Sequence, residues 1–316
     1  MAMANPSGIR TSADGGAIFI AGPTAVGKSE ISLALAEKIE GEIISVDSMQ
    51  VYRGLDIGTA KPDAATRKGI PHHLIDVCKL NEPFDAAKFV QLAERAVADI
   101  RSHDKVPIFC GGTGLYFKAF LDGLGDAPAA DPKLRAELEA APLAGLLEEL
   151  RERDPDSYEK IDKMNRRRVV RAVEIVRTTG KPVAASQADW TQGAQHATGN
   201  TLTLLVRSPA DLHERIDSRV EEMFQRGLVE ETRELLRRGL AENRTAMQAI
   251  GYRQVVEHLR DERDLKATVE LVKIRTRQFA KRQLTWFRRH AHCQWIELKQ
   301  EEPVEQMLMR LFEVQT

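Results

Sequence analysis

The predicted fold is α/β: a parallel sheet flanked by helices, interrupted by an all-helical insertion. Three observations predict it. Residues 17–39 run from a short apolar strand through a glycine-bearing loop into an amphipathic helix. The same strand-to-helix alternation continues to about residue 123. Strand patterning then vanishes between residues 124 and 180 and returns at 201–206, as if the chain left the sheet and re-entered it. On this reading 1–16 is a flexible N-terminus, 17–123 and 200–316 form the core, and 124–199 is the insertion.

The first strand, Ala17-Ile18-Phe19-Ile20-Ala21, is apolar throughout, as a fully buried strand is. The next eight residues, Gly22-Pro23-Thr24-Ala25-Val26-Gly27-Lys28-Ser29, fit G-x-x-x-x-G-K-[ST], the phosphate-binding loop, and make the core P-loop NTPase-like. Its glycines let the backbone curl until several N–H groups point inward at one anion. The loop feeds a helix from Lys28 to about Ile39, apolar at Ile31, Leu35 and Ile39, whose positive end faces the same anion. Lys28 adds a mobile charge, and the Ser29 hydroxyl suits a Mg2+ ion.

A second strand is expected at Glu42–Val46, with Asp47-Ser48-Met49-Gln50 at its C-terminal end. Ligands of such sheets collect at that end, so Asp47 should face the P-loop. A polar loop through Gly54, Gly58 and Pro62 follows, then a further short strand at His72–Asp76. Adjacent histidines on a strand point to opposite faces, so the two read as structural rather than as a metal pair. Ala86 to Arg101 is amphipathic, with Phe89, Leu92, Ala96, Val97 and Ile100 on one side. Val106–Cys110 reads as a buried strand ending in Gly111-Gly112-Thr113-Gly114-Leu115-Tyr116. That repeats the anion-site logic and puts the Thr113 hydroxyl at the mouth of the site, although a tight turn accounts for the glycines equally well.

The insertion opens at Asp126-Ala127-Pro128 and closes with the polar run Ala184–Asn200. Between them lie helical patches at Lys133–Leu138, Leu143–Arg151, Tyr158–Asp162 and Arg166–Arg177. Thr201–Val206 re-enters the sheet, a helix runs from Asp211 to Phe224, and the rest is mostly helical before a last strand at Gln294–Leu298.

With 316 residues, 42% hydrophobic and 29% charged, the chain has the composition of a soluble protein of one or two domains. Three scattered cysteines, Cys78, Cys110 and Cys293, argue for a reducing compartment and against a zinc site. No apolar run is long enough to span a membrane, and a cytoplasmic monomer is expected. The net charge of −1 carries no global signal for nucleic acid, but two stretches break the balance. Residues 151–181 hold ten Lys/Arg against six Asp/Glu, with Arg166, Arg167, Arg168 and Arg171 clustered. Residues 266–289 hold eight against the single acid Glu270. Helical geometry puts Val269, Val272, Thr276, Phe279, Ala280, Trp286 and Phe287 on one face of the second stretch. Lys266, Lys273, Arg277, Lys281 and Arg288 fall on another, and a one-signed stripe favours a polyanion over a solvated face.

Taken together, the residues resemble the tRNA dimethylallyltransferase family. The resemblance rests on the P-loop, Asp47-Ser48-Met49-Gln50-Val51-Tyr52, Asp56-Ile57-Gly58-Thr59-Ala60-Lys61-Pro62 and Gly111–Tyr116. It continues through Arg171-Ala172-Val173-Glu174, Gly251-Tyr252-Arg253-Gln254 and Thr276–Trp286, in the family's order from about residue 17 to 290. The family loop usually ends in Thr where this chain has Ser29; both supply a hydroxyl.

The resemblance implies transfer of a dimethylallyl group from dimethylallyl diphosphate to the exocyclic amine of the adenine 3′ of the anticodon. It makes Asp47 the base and places Thr113 between amine and diphosphate. The diphosphate would be held by Gly22, Thr24, Ala25, Val26, Gly27, Lys28, Ser29 and Arg219, with Ser29 also a ligand of Mg2+. Arg219 has an alternative as a surface partner of Glu222 or Glu214. The tRNA would meet Asp47, Ser48, Met49, Gln50, Thr113, Arg135, Arg167, Arg168, Arg171, Gln248, Gly251, Tyr252, Arg253, Arg277 and Lys281. Among these, Gln50 and Tyr252 would contact or stack on bases, and the insertion would grip the anticodon stem-loop. The alternative, a P-loop kinase of a nucleotide or shikimate-like substrate, accounts for residues 17–110 and leaves the arginine clusters idle. A P-loop RNA-binding switch is a third class.

Overall fold

The computed structural model describes residues 16–125, 128, 131–186 and 202–315. The expectations for 1–15, for Asp126 and Ala127, and for 187–201 lie outside the described residues. Among the described residues six strands form one parallel sheet: β1 (Ile18–Ala21), β2 (Gly41–Val46), β3 (His72–His73), β4 (Val106–Gly111), β5 (Leu202–Val206) and β6 (Cys293–Glu297). Their order is β3-β2-β4-β1-β5-β6, so the strand that carries the P-loop lies inside the sheet between β4 and β5. Every residue of β1 is buried, which explains why that strand is apolar rather than alternating.

The helices in chain order are α1 (Lys28–Ile39), α2 (Ala64–Gly69), α3 (Ala86–Ser102), α4 (Gly114–Asp122), α5 (Pro132–Ala140), α6 (Leu143–Arg153) and α7 (Pro155–Lys160). They continue with α8 (Arg166–Thr179), α9 (Val183–Ser186), α10 (Pro209–Gln225), α11 (Leu228–Arg237), α12 (Tyr252–Leu259), α13 (Leu265–His290) and α14 (Val304–Gln315). One expected strand shrinks: His72–Asp76 stops at His73 because Leu74 (φ 63°) and Asp76 (φ 57°) leave extended backbone. One expected helix starts earlier. Asp154 caps it by accepting from Ser157 N–H at 3.2 Å, and Pro155 takes the first position, where its missing N–H costs nothing.

Contacts divide the chain into two compact units, Met1–Ala119 with Ala197–Thr316, and Phe120–His196, against the 124–199 that the sequence pattern predicts for the insertion. In the first unit, Ile20, Ile31, Leu35, Ile108, Leu205 and Ile216 form the centre of one buried cluster, and Phe19 stacks on Phe109 at 4.7 Å. The second unit has its own core of Leu138, Leu146, Leu150, Val169, Val173 and Val176, contributed by α5, α6 and α8. It also buries a charge. Glu174, with its side chain 1% exposed, accepts hydrogen bonds from both Arg135 and Arg171, the latter at 2.7 Å. Burying a carboxylate is costly unless it is paired, and here two guanidinium groups do the pairing.

Candidate functional site

The site is built at the C-terminal ends of the parallel strands. Gly22 opens the loop where the backbone passes β5 so closely that a Cβ would lie 2.7 Å from the Leu205 carbonyl. Gly27 (φ 109°) then takes the left-handed turn into α1 with no side-chain cap, so the first N–H groups of the helix stay available to an anion. Arginines hold the loop from behind. Arg207 Nε donates to Val26 O at 2.8 Å and Arg215 Nε to Ala25 O at 2.9 Å. A peptide is planar and trans, so a carbonyl held on one side puts the next N–H on the other. Arg207 is itself buried and paired with Asp211 at 2.8 Å. Neither arginine was read from the sequence, although Arg207 directly follows the β5 strand pattern and could have been suspected there.

Lys28 curls over the loop, donating to Gly22 O at 2.9 Å and Pro23 O at 2.7 Å. Burial, reinforced by the charge of Arg219 and opposed by Cys110 and Asp47, pulls its ammonium down to about 8. Arg219 donates to Thr24 Oγ1 at 3.2 Å, while Glu222 pairs instead with Arg226 at 3.4 Å. Its place is therefore at the loop and not in a surface pair.

Asp47 follows β2 and accepts from Met49 N–H at 2.8 Å and Gln50 N–H at 3.2 Å, both on Oδ1. This Asx turn fixes the carboxylate through Oδ1. Thr113 interlocks with the same turn: its Oγ1 accepts from Ser48 N–H at 3.2 Å and its N–H donates to Val46 O at 3.2 Å. Only glycine allows that approach, since a Cβ on Gly111 would lie 2.1 Å from Val46 O.

Asp47, Ser48, Met49, Gln50, Thr113, Thr24, Lys28, Ser29 and Arg219 all line one cavity of about 460 Å³. Ile216, Val220, Met223, Val272 and Phe279 supply an apolar wall beside its basic end. The cationic Lys28 and Arg219 thus share one cavity with the Asp47 carboxylate and the Thr113 hydroxyl. That arrangement suits transfer from a phosphate-bearing donor to a nucleophile that loses a proton.

Several expected tRNA contacts are engaged elsewhere. Tyr252 is fully buried: its hydroxyl donates to Glu231 Oε1 at 2.6 Å and accepts from Gly58 N–H at 3.1 Å, so its ring offers no open face to a base. Burial, with the adjacent Glu231 carboxylate, pushes that phenol well above its usual value. The ring fits because a Cβ on Gly58 would lie 2.5 Å from it. Gln50 accepts from Ser45 Oγ at 2.9 Å and donates to Thr59 O at 3.1 Å, so its amide holds the 57–60 loop rather than standing free. Gly251 (φ 97°) begins α12, and Gln248 lines the cavity.

The basic stripe on α13 is partly neutralised by acids that periodicity could not see. Lys273 pairs with Glu221 of α10 at 2.7 Å and with Glu270 at 2.8 Å, and Arg277 forms a two-pronged pair with Asp217 of α10. Arg253 pairs with Glu257 at 3.1 Å, while Lys281 is exposed. In the second unit Arg135 and Arg171 hold Glu174, and Arg171 also donates to Pro128 O at 2.8 Å. Arg166 caps the end of α5 through Glu139 O at 2.7 Å. Arg167 and Arg168 are the exposed members of that cluster. The histidines are apart, His72 against Ile70 O and His73 against Glu42, and no cluster of three or more metal-ligating side chains exists among the described residues.

The model of the IPP transferase family matches residues 50–290. The tRNA dimethylallyltransferase 1 of Trichlorobacter lovleyi is 46% identical over 284 residues, covering 88% of this chain and 92% of that protein. The solved tRNA isopentenylpyrophosphate transferase of Bacillus halodurans superposes with a TM-score of 0.69 at 36% identity, covering 95% of each chain. A eukaryotic dimethylallyltransferase solved acting on tRNA gives 0.70 at 30% identity, covering 89% of this chain and 73% of that one.

Proposed function

The chain belongs to the tRNA dimethylallyltransferase family, and from that premise we propose how its residues divide the work. It is a prenyltransferase acting on tRNA, which sets the kinase alternative aside. Our reading is that dimethylallyl diphosphate binds with its diphosphate in the P-loop and its apolar tail against Ile216, Val220 and Phe279. The acceptor is the exocyclic amine of the adenine next to the anticodon, drawn out of its stack into the cavity.

The amine nitrogen forms a bond to the allylic carbon as the carbon–oxygen bond to diphosphate breaks. The amine becomes acidic as it attacks and gives its proton to Asp47, within reach of which Thr113 helps position it. Charge accumulating on the departing diphosphate is met by the loop N–H groups, Lys28 and Arg219. Ser29 lines the same end of the cavity, and a hydroxyl oxygen beside diphosphate oxygens is a donor set that fits Mg2+. When bound there, the ion adds positive charge at the leaving group. Exposed Arg167 and Arg168 of the insertion and Lys281 of α13 supply phosphate contacts. Our reading keeps the enzyme a monomer acting in the cytoplasm, where tRNA is found.

The observation that carries this reading is the interlock of Asp47 and Thr113 through Ser48, in the cavity that also holds Lys28 and Arg219. The test is purified protein with unmodified tRNA and labelled dimethylallyl diphosphate, run beside ATP with candidate acceptors. Label on the tRNA adenine supports it; ATP consumption without label on tRNA refutes it.

A further inference from the structure

Two glycine loops meet at the basic end of the cavity, and one side chain joins them. Gln283 of α13, 8% exposed, accepts from Thr24 N–H through Oε1 at 3.0 Å and donates from Nε2 to Gly112 O at 3.0 Å. Position 112 must be glycine for this, since a Cβ there would lie 2.3 Å from Nε2. Three residues on, Trp286 packs where a Cβ on Gly114 would lie 2.1 Å from its ring. One helix thus touches both the loop that takes the anion and the loop that carries Thr113. Thr24 is held twice, by Gln283 at its N–H and by Arg219 at its hydroxyl. A primary amide donates and accepts at once without charge, which is what one N–H and one carbonyl facing the same point require.

From this geometry we infer that Gln283 is a positioning residue for the transfer reaction. It sets the distance between the P-loop and Thr113, and through the Thr113–Ser48 bond it extends that register to Asp47. The inference rests on the diphosphate lying in the P-loop. Leucine at 283 leaves both backbone groups unpaired. A carboxylate keeps the acceptor for Thr24 but faces the Gly112 carbonyl without a proton to donate. A protonated carboxyl supplies both bonds again.

The test compares Gln283→Leu, Gln283→Glu and Lys28→Ala in steady-state transfer, with tRNA affinity and melting temperature measured on the same preparations. Gln283→Leu is expected to raise KM for dimethylallyl diphosphate about tenfold and lower kcat about tenfold, as loss of one well-made bond to each loop does. Its tRNA affinity should stay within about twofold, because exposed cations set that quantity. Gln283→Glu should be impaired at pH 8 and recover relative to wild type as the pH falls towards about 6, when the buried carboxyl takes up its proton. Melting temperature measured at both pH values separates this from folding: a recovery that only follows the melting temperature overturns the inference. Wild-type KM and kcat for Gln283→Leu, losses that track tRNA affinity instead, or a flat pH ratio for Gln283→Glu each overturn the inference. If the leucine variant does not fold, the pH profile decides. Lys28→Ala separates the two layers of the argument: an unchanged KM there overturns the P-loop assignment itself. A raised KM beside a normal Gln283→Leu overturns only the role of Gln283.

Discussion

Four arginines clustered at 166–171 look equivalent in the sequence, and the structure predicts that they behave differently. Arg167 and Arg168 are exposed, whereas Arg171 is two-thirds buried against Glu174 and Pro128 O. If the exposed pair contacts tRNA phosphates, replacing both with Gln removes two contacts. Each contact contributes about 0.7–0.9 to the slope of log affinity against log salt, so the slope should flatten by about 1.6. Between roughly 50 and 200 mM salt, the wild type should then lose about tenfold more affinity than the double variant. Melting temperature should not move, because exposed substitutions of this kind change stability little. Arg171→Gln should do the reverse. It leaves Glu174, 1% exposed, with Arg135 alone. Breaking a fully buried pair costs about 3–5 kcal/mol; with one partner retained and Arg171 a third exposed, about 1–2 kcal/mol is expected. The assay is tRNA binding at four or more salt concentrations beside thermal melting of the same proteins. Parallel binding lines for the double variant, or a flattened slope for Arg171→Gln with an unchanged melting temperature, would refute the division.

Asp47→Asn keeps an oxygen for the Met49 and Gln50 N–H groups, so tRNA affinity should hold while single-turnover transfer slows by about 100-fold or more. With Lys28 drawn down to about 8, affinity for dimethylallyl diphosphate should weaken as the pH rises through that value, since the anion prefers the protonated amine. Titration calorimetry from pH 6.5 to 9.5 checks this, and Lys28→Met should abolish the inflection. Gly111→Ala forces a Cβ to 2.1 Å from the Val46 carbonyl, a backbone atom that cannot swing aside. Strain of several kcal/mol and loss of Thr113 from its place are expected, seen as a lower melting temperature and a fall in kcat larger than any change in tRNA affinity.

The core was legible in the sequence because its signals are local. Gly22 and Gly27 bend the chain by their own dihedral freedom, and the apolar run of β1 and the spacing of Ile31, Leu35 and Ile39 announce strand and helix without help from distant residues. Even the start of α7 is legible in Asp154-Pro155, a capping residue followed by a first-turn proline. What only the tertiary structure decided are pairings across long stretches of chain. Periodicity places Arg277 and Lys273 on a basic stripe, but it cannot show that Asp217 and Glu221 lie opposite. It marks Tyr252 as an aromatic beside a glycine, not as a ring sealed beneath Gly58 and bonded to Glu231. Gln283 reaches Thr24 across 259 positions, and Arg171 and Arg135 meet over one buried carboxylate. Charge and hydrogen-bonding capacity belong to a side chain by its chemistry. Whether they remain open to a substrate depends on which donors and acceptors the fold brings within about 3 Å, and that is settled only when the chain has packed.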